Sequence, residues 1–343
     1  MSIRDRLART AAVEGAAVTV AFIVMVVVFA VSSPFFLTGQ NLHNLFVESV
    51  FTVLLAAGMT YVIIVGGIDL SVGSVLGLSA GMTLMTASKG APLLVAILVG
   101  VATGLVVGLV NGLLIAHLGV NAFIVTLATL SIGGGALNVL TTRVELTGVD
   151  STAFTNLSQG SVLGIPAPVL MTLAVVLLLE FVLIATPFGR RIFAAGINDS
   201  AAHLAGVNLR RLRLQVYVLS GVVAGFAGVL LAAHLNSVQP DLGTGFELTA
   251  IAAAVIGGVS LSGGQGSVWR AVVGAFFLTT LSQGLQLLGV DPTWFTIVTG
   301  VSIVAAIAFS RGTQWFASSL RPAAPRPSAP AAEAAEPTHA VNR

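Results

Sequence analysis

Residues 92–116 read PLLVAILVGVATGLVVGLVNGLLIA, a run of 25 residues without one charge. At about 1.5 Å of rise per residue such a helix exceeds the roughly 30 Å of a bilayer core. No soluble fold needs an uncharged helix of that length, so this stretch decides the class of the chain. The rest of the sequence agrees with it. Of 343 residues, 56% are hydrophobic and 8% charged, against about 25% charged in an ordinary soluble domain. The mean hydropathy is +1.01. A soluble globular enzyme and a disordered chain are both excluded. The net charge of +2 is too small to argue for nucleic acid, and the absence of Cys rules out disulfides and thiolate metal sites. The 38 glycines suit close helix–helix approach in lipid.

Working outward from 92–116, apolar stretches of spanning length predict helices at 16–33, 46–65, 70–87, 92–116, 121–140, 167–186, 215–233, 247–261, 268–288 and 294–310. Spans 70–87 and 247–261 are short or Gly-interrupted. The expected fold is therefore all-α, a polytopic membrane protein of about ten transmembrane helices. Orientation follows from arginine, which is retained on the cytoplasmic side. Arg4, Arg6 and Arg9 precede the first span, Arg190, Arg191, Arg210, Arg211 and Arg213 lie in the 187–214 loop, and Arg311, Arg321 and Arg326 follow the last. Ten spans put all three segments on one side, with both termini in the cytoplasm. Loops then assigned outside carry the acids Glu145, Asp150, Asp241, Glu247 and Asp291. Three regions result: a cytoplasmic segment 1–15, a transmembrane domain 16–317, and a Pro/Ala-rich tail 318–343 expected to be disordered.

Polar groups inside spans need a reason. Asp69 stands in Val65-Gly-Gly-Ile-Asp-Leu-Ser-Val-Gly-Ser74, where the glycines let the backbone open beside a carboxylate. Ile256-Gly-Gly-Val-Ser-Leu-Ser-Gly-Gly264 echoes it at an offset of 191, matching Gly66 to Gly257 and Ser71 to Ser262. Paired Gly-interrupted segments in two halves are a pattern of internally repeated transporters. The alternative is that both are helix-end turns, with Asp69 capping a helix. Asp69, Ser71, Asn111, Asn121, Phe123, Thr126, Ser260 and Ser262 are the candidate pathway residues. For Asn111 and Asn121, interhelical hydrogen bonding or capping is the reading favoured over a pathway role. Residues 261–265 spell LSGGQ, the signature pentapeptide of ABC ATPases. No G-x-x-x-x-G-K-[ST] accompanies it, so it is a chance match and the chain does not hydrolyse ATP. No catalytic cluster, metal site or cofactor site is read.

The loop Thr186-Pro-Phe-Gly-Arg-Arg-Ile-Phe-Ala-Ala-Gly-Ile-Asn-Asp-Ser-Ala-Ala-His-Leu-Ala-Gly-Val-Asn-Leu-Arg210 predicts a short helix over 201–205. Asn198, Asp199 or Ser200 would cap it and Gly206 would end it. Such a helix can dock in a groove on a cytosolic partner; the alternative is a plain loop whose arginines only enforce topology. The whole loop resembles the coupling region of permease subunits of ribose-type ABC importers. Gly58-Met-Thr60, Gly66 to Ser74, Asn121-Ala-Phe-Ile-Val-Thr-Leu127, Gln239-Pro240, Gly243-Thr-Gly-Phe-Glu-Leu-Thr-Ala-Ile-Ala-Ala-Ala-Val-Ile-Gly-Gly258 and Gly284-Leu-Gln-Leu-Leu-Gly-Val290 are similar to the same family, in unbroken order over about 35–310. The chain departs from the family pattern at Ser282, Gln283 and Gln286, where Asn is usual. The basic residue common near Gln265 or Ser267 is also missing, the nearest being Arg270.

The resemblance implies a type II ABC importer-like subunit with broken or short helices near the pathway and no catalytic chemistry. Its implied place is a bacterial inner membrane, and its implied partners are cytosolic ABC ATPase subunits, an extracytoplasmic solute-binding protein, a second permease copy in a homodimer or a related permease in its place, and membrane lipid. Gly189, Arg190, Gly196, Asn198, Ala201, Ala202, Leu204 and Gly206 are the implied ATPase-coupling residues. The GGIDLSVGS and FIVTL segments favour a sugar or polyol of the ribose, xylose or galactose class. Nucleosides and branched-chain amino acids are the substrates of cousin branches. An ion-coupled secondary transporter using Asp69 is the rival from another class.

Overall fold

A computed structural model describes residues 3–143, 149 and 151–291, with 293, 294, 297, 298, 300, 301 and 304 beyond them. Twelve helices and one small hairpin follow in order among them. They are α1 Ile3–Ser32, α2 Gly39–Ile64, α3 Val72–Ser88, α4 Leu93–Ala116, α5 Ala122–Arg143, α6 Thr152–Gln159, β1 Ser161–Val162, β2 Ile165–Pro166, α7 Ala167–Ala185, α8 Pro187–Ile197, α9 Asp199–Leu204, α10 Leu209–Leu235, α11 Phe246–Ile256 and α12 Val268–Leu287. Each of the nine spans expected up to residue 288 coincides with a helix. The span expected at 294–310 lies mostly outside the described residues, as does the tail 318–343. Among the described residues, five helices are long and apolar enough to cross a membrane: α2, α4, α5, α7 and α10. By the same measure α3 and α11 fall short. The antiparallel pair β1–β2, Ser161 facing Pro166, is a small exception to an all-helical chain.

Burial sorts the long helices into two classes. In α2 and α10, 94% and 78% of the most apolar window is buried, against 22–28% in α4, α5 and α7. A helix apolar all round is at home either in a protein core or in lipid; α2 and α10 form the core, and the other three turn most of their surface outward. The main apolar cluster gathers α2, α7, α8, α10, α11 and α12, and a smaller one lies around α3, α5 and α6.

The most extensive helix contact is α4 on α10. Gly100, Gly104, Gly108 and Gly112 recur every four residues along α4 and so form one ridge. A Cβ at Gly104 would collide with the carbonyl oxygen of Gly221, and one at Gly221 with that of Gly104. Gly108 meets Tyr217 and Gly112 meets Leu214, so the two helices run antiparallel with their backbones touching. Without a hydrophobic drive between helices in lipid, this close van der Waals approach is what association rests on.

One end of the bundle carries the C-termini of α2, α4, α7 and α11 with the N-termini of α3, α5, α10 and α12. The Gly264 amide donates to the Ile64 carbonyl at 2.8 Å, and Glu180 of α7 accepts from the Ser267 hydroxyl and the Val268 amide at 2.9 and 2.8 Å, capping α12. At the other end, Asn236 closes α10 in the left-handed region at φ 47° and holds Val149 through both its amide atoms.

The glycine ridge yields a test. Gly104→Val is expected to cost about 1–3 kcal/mol or more through overpacking, read as a lower midpoint of thermal unfolding in detergent. Gly134→Val on α5 meets nothing within 4 Å and is expected to leave that midpoint nearly unchanged.

Candidate functional site

The break after α2 is made by its own sequence. Val65 is the C-cap and Gly66 takes φ 85°, a conformation glycine adopts without penalty. The Gly66 amide donates to the Ile63 carbonyl at 2.9 Å and the Gly67 amide to Val62 at 2.8 Å, the two bonds of a Schellman stop. A Cβ at Gly67 would lie 2.5 Å from the Tyr217 hydroxyl, so any larger residue there would have to displace that side chain. That hydroxyl donates to the Ile68 carbonyl at 3.2 Å and so satisfies a freed backbone acceptor.

Asp69 follows, 2% exposed. Its Oδ1 accepts from the Ser71 amide at 3.0 Å and the Ser71 hydroxyl at 2.6 Å, while Oδ2 accepts from the Ser220 hydroxyl of α10 at 2.8 Å. Ser71 Oγ in turn accepts from Asn111 Nδ2 of α4 at 2.9 Å, and Asn111 Oδ1 accepts from the Thr129 hydroxyl of α5 at 2.6 Å. A continuous hydrogen-bonded chain thus runs from α10 through the break to α4 and α5. The sole ion pair among the described residues is Arg213 with Asp199, so Asp69 is held by hydroxyl and amide dipoles rather than by a cation. Asp69 is not itself the cap of α3: the cap residue is Ser71, which makes no side-chain cap bond, and Asp69 accepts the amide of Ser71 two residues on, a turn just before the helix.

The remaining pathway candidates do not join this chain. Asn121 and Phe123 line a cavity of about 440 Å³ together with Val65–Ile68, Arg213 and Tyr217. Asn121 Oδ1 accepts from the Phe123 amide at 2.9 Å, a cap at the start of α5, and Thr126 donates to the Ala122 carbonyl at 2.8 Å within its own helix. Ser260 and Ser262 lie in the second break. There α11 also ends in a Schellman stop, with Gly258 at φ 88°. The conformational partner of Gly66 is therefore Gly258, one residue beyond the sequence match of Gly66 to Gly257. The second break is also longer, ten residues at 258–267 against six at 66–71, and it holds no carboxylate. Its LSGGQ stretch packs on the end of α2, consistent with a connecting loop.

The loop expected at 187–213 holds two helices where one was read. Thr186 caps α8 with Pro187 at its first position, a pairing visible in the sequence. Asn198 caps α9 through the Ala201 amide at 3.0 Å, and Gly206 at φ 86° ends it, as expected. The coupling candidates divide by facing. Arg190, Asn198, Ala201, Leu204 and Gly206 are exposed. Gly189, Gly196 and Ala202 face inward instead: Gly189 abuts the Leu183 carbonyl, Gly196 is wedged between the Ile64 carbonyl and Gly264, and Ala202 is 4% exposed. Ile197, not singled out from sequence, is 74% exposed, and Leu204 87%. Thr129, Tyr217, Ser220 and Glu180 were also missed as site residues; their only sequence signal is a polar side chain inside an apolar run.

Comparison with known proteins places this geometry in context. Residues 41–307 match the model of a family described as branched-chain amino acid transport system / permease component. The chain is 39% identical to the ribose import permease protein of Bacillus subtilis over 84% of its own length and 90% of that protein. It is 39% identical to the D-allose transport system permease protein of Escherichia coli, over 84% and 89%. To the L-arabinose transport system permease protein of Escherichia coli it is 36% identical, over 86% and 90%. No solved structure matched the chain.

Asp69→Ala would leave the Ser220 and Ser71 donors buried without an acceptor. The expected cost is about 1–3 kcal/mol, measured by thermal unfolding of the detergent-solubilised protein. Asp69→Asn, which keeps an acceptor oxygen, is expected to cost less.

Proposed function

This chain belongs to the branched-chain amino acid transport system / permease component family, and from that premise we propose that it is the membrane subunit of an ATP-driven importer of a small sugar. It is a multi-pass inner-membrane transport component with no catalytic step of its own. Two copies line the path, an extracytoplasmic binding protein delivers the solute, and two cytosolic ATPases act on α8 and α9. The sugar class is supported by relatives named for ribose, D-allose and L-arabinose. Ten spans with both termini in the cytoplasm are supported by the arginine placement and by the alternating directions of α2 to α12.

The observation that carries the reading is the two-sidedness of α8 and α9. Outward they show Ile197 and Leu204, 74% and 87% exposed, at the arginine-rich end of the bundle. Exposed apolar side chains of this size, rimmed by charge, suit a helix that docks in a groove. Inward, Phe188 stacks on Tyr61 at 6.3 Å, and Gly196 presses on Ile64 and Gly264. A partner bound outside therefore pushes directly on the inner ends of both helix breaks. Alternating access needs such a connection between motor and broken helices.

Reconstitution in liposomes with its ATPase and binding protein is the test. Sugar uptake is expected to require ATP and the binding protein together; uptake by this chain alone under an ion gradient would overturn the proposal. Leu204→Asp is expected to weaken ATPase copurification about tenfold or more with normal folding. Ala202→Arg is expected to damage folding itself, because that side chain is buried.

A further inference from the structure

We propose that Arg213, Tyr217 and Ser220 form a relay on α10 that transmits movement of α9 to the break at Gly66–Asp69. The three lie at i, i+4 and i+7, so they share one face of the helix. At its cytoplasmic end Arg213 pairs with Asp199, the first residue of α9. One turn on, the Tyr217 hydroxyl holds the Ile68 carbonyl at 3.2 Å. Nearly one turn further, the Ser220 hydroxyl holds Asp69 Oδ2 at 2.8 Å. A short helix and a broken helix that do not follow one another in the chain are thereby tied to one rigid rod.

Three features give this stripe the properties of a link rather than a clamp. First, α10 is a 27-residue helix whose backbone is keyed into the glycine ridge of α4, so a pull at Arg213 moves a body and not a flexible segment. Second, the space around the stripe is open on the cytoplasmic side. The cavity of about 440 Å³ is walled by Val65–Ile68 and Tyr217, and a second of about 800 Å³ by His203, Gly206–Arg210 and His117; the two share Ile115, Gly119 and Arg213. Arg213 thus stands between two spaces into which the break and the α9–α10 turn can move. Third, Asp199 Oδ1 is shielded and has no hydrogen-bond partner among the described residues, so Arg213 is the partner that holds this carboxylate. The pair itself is half-exposed, and such pairs contribute little to stability. Its loss is expected to leave the fold intact and to show in coupling.

The relay gives α8–α9 a second point of action. Gly196 pushes on the start of the first break at Ile64, while Asp199 acts through α10 on its end at Asp69. The two contacts sit on opposite sides of one Schellman turn, so tilting the α8–α9 unit shears that turn. The inference rests on the ATPase-coupled reading above, and the following experiment separates the two.

Arg213→Asp, Asp199→Arg, the double swap, and Ser220→Ala are reconstituted in the complete complex. ATPase copurification, solute-stimulated hydrolysis and uptake per ATP are measured. Ser220 lies about 10 Å along the helix from Arg213, well away from the exposed face of α9. Both charge reversals and Ser220→Ala are expected to keep the ATPase bound, yet lower uptake per ATP about fivefold or more. The double swap is expected to restore it to within about twofold of wild type. Unchanged uptake per ATP in the single variants, or a double swap as impaired as they are, would overturn the relay. A wild-type chain that binds no ATPase would instead overturn the function proposed above.

Discussion

A backbone that stops being helical inside an apolar bundle must place its freed amides and carbonyls somewhere, and most of this structure follows from how that is done after Ile64. Two bonds of a Schellman stop take up the Gly66 and Gly67 amides, the Tyr217 hydroxyl serves the Ile68 carbonyl, and the Asp69 carboxylate accepts the Ser71 amide at the entry to α3. The bonds to Asp69 each come from a dipole, none from an arginine. This matters physically. An arginine at that place would bring its own desolvation cost, whereas hydroxyls and amides are short enough for four helices to close around the carboxylate. The network is satisfied at each link from Ser220 to Thr129, which is the condition under which a buried polar chain specifies one arrangement.

The glycine ridge of α4 and the polar chain depend on each other. Asn111 stands one residue before Gly112 on α4, and Ser220 one residue before Gly221 on α10. Each reaches the break from a helix held at backbone contact by those glycines. With larger residues on the ridge, α4 and α10 would stand further apart and could not both touch the Asp69–Ser71 turn. The same economy recurs at the arginine-rich end. Gly196 lets α8 lie directly on the Ile64 carbonyl and Gly264, so this short helix touches the ends of both breaks.

Much of this was legible residue by residue. Each apolar span expected up to residue 288 falls on a helix, although α6 and α8 carried no such signal, and Asn198 and Gly206 bound α9 as cap and stop chemistry dictates. The break at Gly66–Asp69 is visible as two glycines before a lone carboxylate. Other features left a signal too weak to choose. Thr186-Pro187 marked the start of α8, yet its eleven residues read equally as loop because two inward glycines, Gly189 and Gly196, interrupt the pattern. The repeat between the two breaks was visible as sequence but shifted by one residue, since glycine at either C-cap or C′ serves a helix end and sequence identity does not say which.

What the sequence by itself determined is the solvent, where the apolar helices lie, the caps and the family. The first three depend on local length, composition and short-range hydrogen bonding, and the family on short motifs kept in order along most of the chain. Only the tertiary structure decided which polar side chains meet. Ser220 joins Asp69 across 151 positions and Thr129 joins Asn111 across 18, and it alone showed that Ala202 and Gly196 face inward while Ile197 and Leu204 face out. Those outcomes turn on the rotation and separation of packed helices. A rotation of about 100° per residue moves a side chain from the lipid face to the core, and no local pattern in an almost uniformly apolar helix records it.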